Sequence, residues 1–217
     1  MTKAALFIDF DGTISPVDIS NTFFTTRAGS DARLVVDQWK RGLVSSRECL
    51  IRELDAFGGD LGELREFARS LPIDQGFFQL QKECRRRGVG VFVVSDGLDF
   101  YIEPFLAKHD AKVKTYSNRL VIKDGICSLA FPYYNQACGH CANCKSSHVE
   151  REKRKGKAII YVGDGLSDKC AASKADLIFA KGDLEEYCKI QGIPYHRFDR
   201  LSEVADQIRL RRIGESG

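Results

Sequence analysis

The sequence predicts an α/β fold, a doubly wound parallel sheet with an inserted helical bundle, on three observations. Short apolar runs, Ala4 to Ile8, Val91 to Val94 and Ala158 to Val162, recur and each ends abruptly in polar groups, as strands buried on both faces do. Helical patterns separate these runs, and strand–helix alternation over 217 residues implies parallel strands joined by crossovers. One long helical stretch falls directly behind the first strand. The expected division is therefore a core of residues 1–14 plus 76–217 and a helical cap of residues 15–75.

In order, Ala4 to Ile8 runs into Asp9-Phe10-Asp11-Gly12-Thr13. Side chains two apart on an extended backbone point the same way, so Asp9 and Asp11 converge at the carboxyl end of the strand, where open α/β sheets bind ligands. Two carboxylates do not both stay ionised in a crevice unless a cation joins them. The cation that their oxygens suit is hard, Mg2+ first. Gly12 lets the chain turn, and Thr13 adds a hydroxyl and a backbone N–H. Taken alone, the same five residues also read as a strand end followed by an Asx turn.

Behind this tip, Ser30 is placed to cap a helix through Trp39 with Leu34, Val35 and Trp39 on one face. Ser45 with Glu48, and Asp60 with Glu63, form capping boxes for two more helices, and Gly42, Gly58-Gly59 and Pro72 mark the breaks. A bundle inserted there sits over the site as a lid that excludes water and reads the substrate. A helix from Gly76 to Arg87 stops at Gly88, and GVFVVSDG follows as a second strand, with Ser95 where the first strand carries its acid. A helix from Leu98 to Lys108 precedes a hairpin over Val113 to Ser128, with its turn at Lys123-Asp124-Gly125. An irregular, cysteine-rich stretch, Phe131 to Cys144, leads to a helix from Lys145 to Arg154 and a third buried strand, AIIYVGDG, with Asp164 at its tip and Asp168 just beyond. ADLIFA is a fourth strand. A helix over Asp183 to Gln191, a short strand around Tyr195 to Phe198 and a helix from Ser202 complete the fold.

Composition narrows the function classes. The chain is globular by its 43% hydrophobic content, and its apolar runs fall short of the roughly 20 residues of a membrane span. A formal charge of +3 is too mild to argue for nucleic acid, and the basic runs at Arg85 to Arg87 and Arg151 to Lys157 read as solvated helix ends. No membrane or nucleic-acid partner is expected, the expected location is cytoplasmic, and the chain is expected as a monomer or homodimer. Eight cysteines in such a setting are thiols or metal ligands rather than a disulfide framework.

DFDGT at 9–13, strand-terminal VVSDG at 93–97, Lys145 and GDGLSD at 163–168 resemble the four motifs of the haloacid dehalogenase superfamily of phosphatases, in that family's order. The likeness covers nearly the entire chain, since the helical insert falls where the subfamily with a small helical cap, which includes the phosphoserine phosphatases, carries its cap. The resemblance implies a Mg2+-dependent phosphomonoesterase that acts on a small phosphorylated metabolite through an aspartyl-phosphate. It implies Asp9 as nucleophile and Asp11 as general acid and base. Asp9, Asp11 through its carbonyl, and Asp164 are implied metal ligands, with Asp168 supporting them, and Ser95 and Lys145 are implied to bind the transferring phosphoryl group. Thr13, Asp18, Asp96 and Gly97 are the implied substrate-binding positions. DFDGTI, SDGLDFYIEPFL, the spacing of Cys141, Cys144 and Lys145, and LIFAKGDLEEYCKIQGI are most similar to the phosphatases of methionine salvage.

Two relatives in function stand as alternatives. Phosphoserine phosphatases hold a glutamate where Asp18 falls, but they also hold an arginine for the substrate carboxylate, and here Ile51 takes its apparent place with Arg52 one position off. Asp96 resembles phosphoethanolamine and phosphocholine phosphatases, and a carboxylate there would favour a cationic substrate; an acid facing a helix N-terminus is its plain structural reading. Cys138, Cys141 and Cys144, with His140 or His148, are also spaced for a structural Zn2+ that would order the loop before Lys145, and CGHC mimics a thiol–disulfide motif without the preceding strand that such a motif requires. A non-catalytic zinc or ligand-binding module on the same fold is the alternative from another class.

Overall fold

The computed structural model describes residues 3–124 and 126–211. Seven strands form one sheet in the order β4-β3-β2-β1-β5-β6-β7: β1 (Ala4–Ile8), β2 (Val89–Leu98), β3 (Lys114–Lys123), β4 (Ile126–Ala130), β5 (Ala158–Gly163), β6 (Leu177–Ala180) and β7 (His196–Arg197). All pair in parallel except β3 and β4, which pair antiparallel; of the turn expected at Lys123-Asp124-Gly125, Gly125 lies outside the described residues. The fold class is therefore as the alternating pattern required.

β1 is apolar throughout because both its faces are covered. Ala4, Leu6 and Ile8 join a core built with α5 (Gly76–Arg86), α6 (Asp99–Lys108) and α10 (Leu201–Leu210). Ala5 and Phe7 join a second core with α7 (Lys145–Lys153), α8 (Lys169–Ala172) and α9 (Gly182–Gln191). After β1 the chain builds outward on one side through β2 and β3, and later on the other through β5 and β6. The order of strands thus reverses at β1, and the crevice at its carboxyl end is the switch point where such sheets bind ligands.

Four helices lie between β1 and α5: α1 (Ile19–Arg27), α2 (Gly29–Lys40), α3 (Ser46–Phe57) and α4 (Leu61–Ser70). They are held by an aromatic cluster in which Phe23 packs on Phe24, Phe57 and Phe67, and Phe23, Phe24, Leu50 and Leu64 are continuous with the first core. Burying a side chain of that size contributes on the order of 1.5–3 kcal/mol. Ser45 caps α3 by accepting the Glu48 N–H, and Asp60 caps α4 through the Gly62 N–H rather than that of Glu63. The expected cap at Ser30 is a correction. Helix α2 starts at Gly29, behind Ala28, without a side-chain cap, and Ser30 bonds Asp31 instead. The chain turns from α1 to α2 on Gly29 at φ +69°, so the second helix begins where the first ends. Its inward stripe is Ala32, Val35 and Val36, while Leu34, expected inside, is 56% exposed: burial follows the 3.6-residue period rather than hydrophobicity alone.

Candidate active site

Asp9 and Asp11 leave β1 on either side of Phe10, which is buried and whose carbonyl accepts the N–H groups of Thr13, Ile14 and Ser15. This tight turn needs Gly12 twice over. Its φ is +75°, and a Cβ there would fall 2.2 Å from Asp164 Oδ2. Asp9 is buried, its N–H donates to the Val162 carbonyl of β5, and Lys145 donates to its Oδ1 at 2.6 Å. Asp11 accepts at Oδ1 from the Ile19 N–H, the first of α1, at 2.9 Å, and at Oδ2 from the Tyr101 hydroxyl at 2.9 Å and from Ser95 at 3.4 Å.

Asp164 and Asp168 follow the tip of β5, the latter closing a single 3₁₀ turn (Leu166–Asp168). Thr13 donates to Asp164 Oδ1 at 2.6 Å. Asp168 is fully buried and has all its acceptors used: Oδ2 takes the N–H groups of Asp164 and Gly165, and Oδ1 takes the Tyr161 hydroxyl and Lys145. Lys145, the first residue of α7, is 2% exposed and bridges Asp9, Ser167 and Asp168. Oxygens of Asp9, Asp164 and Asp168 lie within 4.8 Å of one another, the one such group of potential metal ligands among the described residues.

The electrostatics reflect this crowding. Burial, then the Asp168 charge, holds the Asp9 carboxyl well above its usual range, with Lys145 opposing. Burial, with Asp18, raises Asp11 to about 7 against the Ile19 and Tyr101 hydrogen bonds, and burial with Asp168 raises Asp164 to about 6. Burial alone would lower Lys145, but Asp168 and Asp9 outweigh it and hold the ammonium charged well past its usual range. Three clustered carboxylates against one ammonium leave negative charge uncompensated. A divalent cation on an all-oxygen donor set fits that excess.

Asp9, Asp11, Lys145 and Asp164 line one cavity with a volume of about 130 Å3, roofed by Val36, Trp39, Cys49, Leu50 and Glu53 of α2 and α3. Ser95, Asp96 and Gly97 form its wall. Between Val94 and Leu98 the register of β2 against β3 breaks, which turns this tripeptide out of the ladder towards the site. Gly97 must be glycine, because a Cβ would fall 1.9 Å from the Tyr101 hydroxyl. Asp18 caps α1 at the rim, accepting the Asn21 N–H. Of the acids, hydroxyls and amine singled out from sequence for the site, Thr13 and Asp168 do not line the cavity: the Thr13 hydroxyl is given to Asp164, and Asp168 is buried against Lys145 and the Asp164–Gly165 backbone. Cys138, Cys141 and Cys144 do not gather a metal-binding set with each other or with a histidine among the described residues: Cys138 is exposed, and Cys144 exchanges hydrogen bonds with Ser146 and Ser147. His148 is stacked on Tyr116 instead.

Sequence reasoning missed Tyr101, Tyr161, Ser167, Asn143 and Glu53. Ser167 was legible inside GDGLSD. Glu53 was discoverable from the helical period, being one turn beyond Cys49 on the inward face of α3, where burial, Asp18 and Asp11 raise its carboxyl to about 8. The two tyrosines act over 90 and 7 residues of separation and had no local signal.

Comparison with known proteins gives concordant likenesses. The family model described as Putative Phosphatase matches residues 4–192. The chain is 30% identical to the polyol phosphate phosphatase PYP1 of Saccharomyces cerevisiae, over 99% of this chain and 96% of that one. It is 26% identical to the 2-hydroxy-3-keto-5-methylthiopentenyl-1-phosphate phosphatase of Bacillus cytotoxicus, covering 94% of each. The fold superposes on a phospho-aspartyl intermediate analogue of phosphoserine phosphatase with a TM-score of 0.74, at 20% identity, over 95% of this chain and 99% of that one.

Proposed function

Since the chain belongs to the Putative Phosphatase family and is a phosphatase of the haloacid dehalogenase superfamily, we propose that it hydrolyses a small phosphorylated metabolite through an aspartyl-phosphate on Asp9, with Mg2+ as cofactor. The observation that carries this is the meeting of Asp9, Asp11, Ser95, Lys145 and Asp164 around one cavity. Asp9, Asp164 and the carbonyl of Asp11 would hold the cation, and Asp168 would fix the loop beneath it. Bound there, Mg2+ would neutralise phosphoryl oxygens and the excess carboxylate charge.

The chain's own residues would do the rest. A carboxylate oxygen of Asp9 attacks phosphorus, an O–P bond forms, and the ester O–P bond breaks. Protonated Asp11 gives its proton to the departing oxygen; a carboxyl raised to about 7 is suited to do so near neutrality. The resulting Asp11 carboxylate then takes a proton from water as the water oxygen attacks the same phosphorus, releasing inorganic phosphate and Asp9. Lys145 holds Asp9 in place and opposes the upward push that burial and Asp168 give its carboxyl, and the Ser95 hydroxyl faces the cavity where a phosphoryl oxygen would lie. Helices α1 to α4, with the turns around them at residues 15–75, act as the cap that closes this cavity and selects the substrate. The eight unpaired thiols suit a reducing cytoplasm.

The cavity argues about substrate by charge. Among the described residues Lys145 is its one basic side chain, beside Asp9, Asp11, Asp18, Glu53, Asp96 and Asp164. Arg52 points elsewhere, to Gln38 and Glu48. A substrate carboxylate, as in phosphoserine, has no counterion here, whereas hydroxyls or an ammonium group find acceptors in Glu53, Asp18 and Asp96. A neutral methionine-salvage substrate and a polyol phosphate both meet this requirement, as does phosphoethanolamine. Phosphate release with and without Mg2+, measured on a methionine-salvage intermediate, a polyol phosphate, phosphoethanolamine and phosphoserine, tests the reading. Mg2+-dependent turnover is expected, with phosphoserine poorest. Absence of Mg2+-dependent release from all four and from an aryl phosphate would overturn it.

A further inference from the structure

We propose that Asn143 is a positioning residue that holds the cavity wall at Ser95, expected to bind phosphate, and its neighbour Asp96 in register with Lys145, and that His148 acts through it. The inference rests on the phosphatase reading above. Asn143 is fully buried in the loop before α7 and reaches three elements. Its side-chain amide donates to the Ser95 carbonyl at 2.9 Å and to the Tyr116 carbonyl at 2.8 Å, and its backbone N–H donates to Asp96 Oδ1 at 2.7 Å.

These bonds sit where the ladder fails. The β2–β3 register is broken between Val94 and Leu98, and the Asn143 amide bridges the two strands there, one carbonyl on each. The break is what lets Ser95 and Asp96 face the cavity, and the amide is what keeps it from being a loose bulge. Lys145 follows two residues later, at the start of α7, so Ser95 and Lys145, the groups expected to contact phosphate, are referred to one buried side chain. Its orientation is fixed by logic as well as distance. Both carbonyls can only accept, so the NH2 end of Asn143 faces them and Oδ1 faces His148 Nε2 at 2.8 Å. His148 must then carry its proton on Nε2. Its Nδ1 has no partner among the described residues, so the bond to Asn143 is its only hydrogen bond there, and the ring is clamped between Tyr116 and Tyr133 at centroid distances of 4.3 and 4.8 Å.

The test compares the wild type, Asn143→Ala, His148→Leu, His148→Gln and the double variant Asn143→Ala/His148→Leu, on an aryl phosphate with Mg2+. Asn143→Ala is expected to lower kcat about 10- to 100-fold, the range for losing a partner that orients a reacting group. Inhibition by inorganic phosphate should weaken with it, while the Mg2+ concentration for half-maximal activity, set by Asp9 and Asp164, stays near wild type. His148→Leu should move in the same direction by less, His148→Gln should retain activity because its amide restores the donor, and the double variant should be no worse than Asn143→Ala alone. Wild-type kcat and phosphate inhibition in Asn143→Ala, with only a lower melting temperature, would overturn the inference, as would additive losses in the double variant. Should Asn143→Ala fail to fold, His148→Leu against His148→Gln decides, equal activity in the two counting against it. An inactive wild type would refute the phosphatase reading itself, and this inference with it.

Discussion

Replacing Tyr101 by phenylalanine isolates one hydrogen bond on the proposed acid. The Tyr101 hydroxyl, fully buried, donates to Asp11 Oδ2 at 2.9 Å and favours the ionised carboxylate. A hydrogen bond to a charged acceptor is worth roughly 1.5–3 kcal/mol net, and about 1.4 kcal/mol corresponds to one pKa unit. Removing it should therefore raise the Asp11 pKa by about one to two units relative to wild type. The sign follows from the role: the protonated acid persists to higher pH, so the alkaline limb of kcat/KM moves up by that amount. The effect should appear only when the leaving group needs a proton. The assay is kcat/KM against pH for an alkyl and an aryl phosphate, in both proteins, at saturating Mg2+. An alkaline limb that stays put or moves down for the alkyl ester, or one that moves equally for the aryl ester, would refute Asp11 as proton donor.

Other outcomes follow from the same geometry. Asp9→Asn should abolish turnover while leaving far-UV circular dichroism unchanged, since the amide cannot attack phosphorus; substantial residual phosphate release would count against the covalent route. Thr13→Val removes the donor that holds Asp164 Oδ1, and should raise the Mg2+ concentration for half-maximal activity about 10- to 100-fold with little change in kcat at saturation, read by Mg2+ titration. Stability without Mg2+ should fall as pH rises from about 4 to 7, because the folded state, with Asp11 and Asp164 raised to about 7 and 6, binds more protons there than the unfolded chain. Mg2+ relieves the charge instead, so the rise in melting temperature on adding it should be larger at about pH 8 than at about pH 5.5, where protons compete; the opposite order in differential scanning fluorimetry would contradict a cation held by these carboxylates.

The parts of the site legible in sequence share a physical cause. Asp9 and Asp11 at the end of an apolar run, Ser95 at the end of a second and Asp164 at the end of a third are strand-tip positions, and a parallel sheet brings its strand tips to one edge by construction. Capping at Ser45 and Asp60 was readable for a similar reason, since a cap bonds within three residues. Ser30 misled because the same local signal yielded to a helix that starts on Gly29. The cysteine spacing left zinc open as an alternative because spacing alone does not aim sulfur atoms: Cys144 turns to two serine hydroxyls and Cys138 to solvent.

Sequence by itself determined the strand tips, the order of the motifs and the place of the helical insert, because periodicity and turn chemistry act over a few residues. Tertiary structure alone decided that Thr13 serves Asp164 rather than the cavity, that Glu53 rather than Arg52 lines it, and that Tyr101, Tyr161 and Asn143 hold the acids and the phosphate wall. Apart from that of Tyr161, which reaches Asp168 only 7 residues on, those are contacts between segments far apart in the chain. A side chain's partner across such a distance is set by which helix faces pack together and where a strand register breaks, and neither is written in the residues next to it.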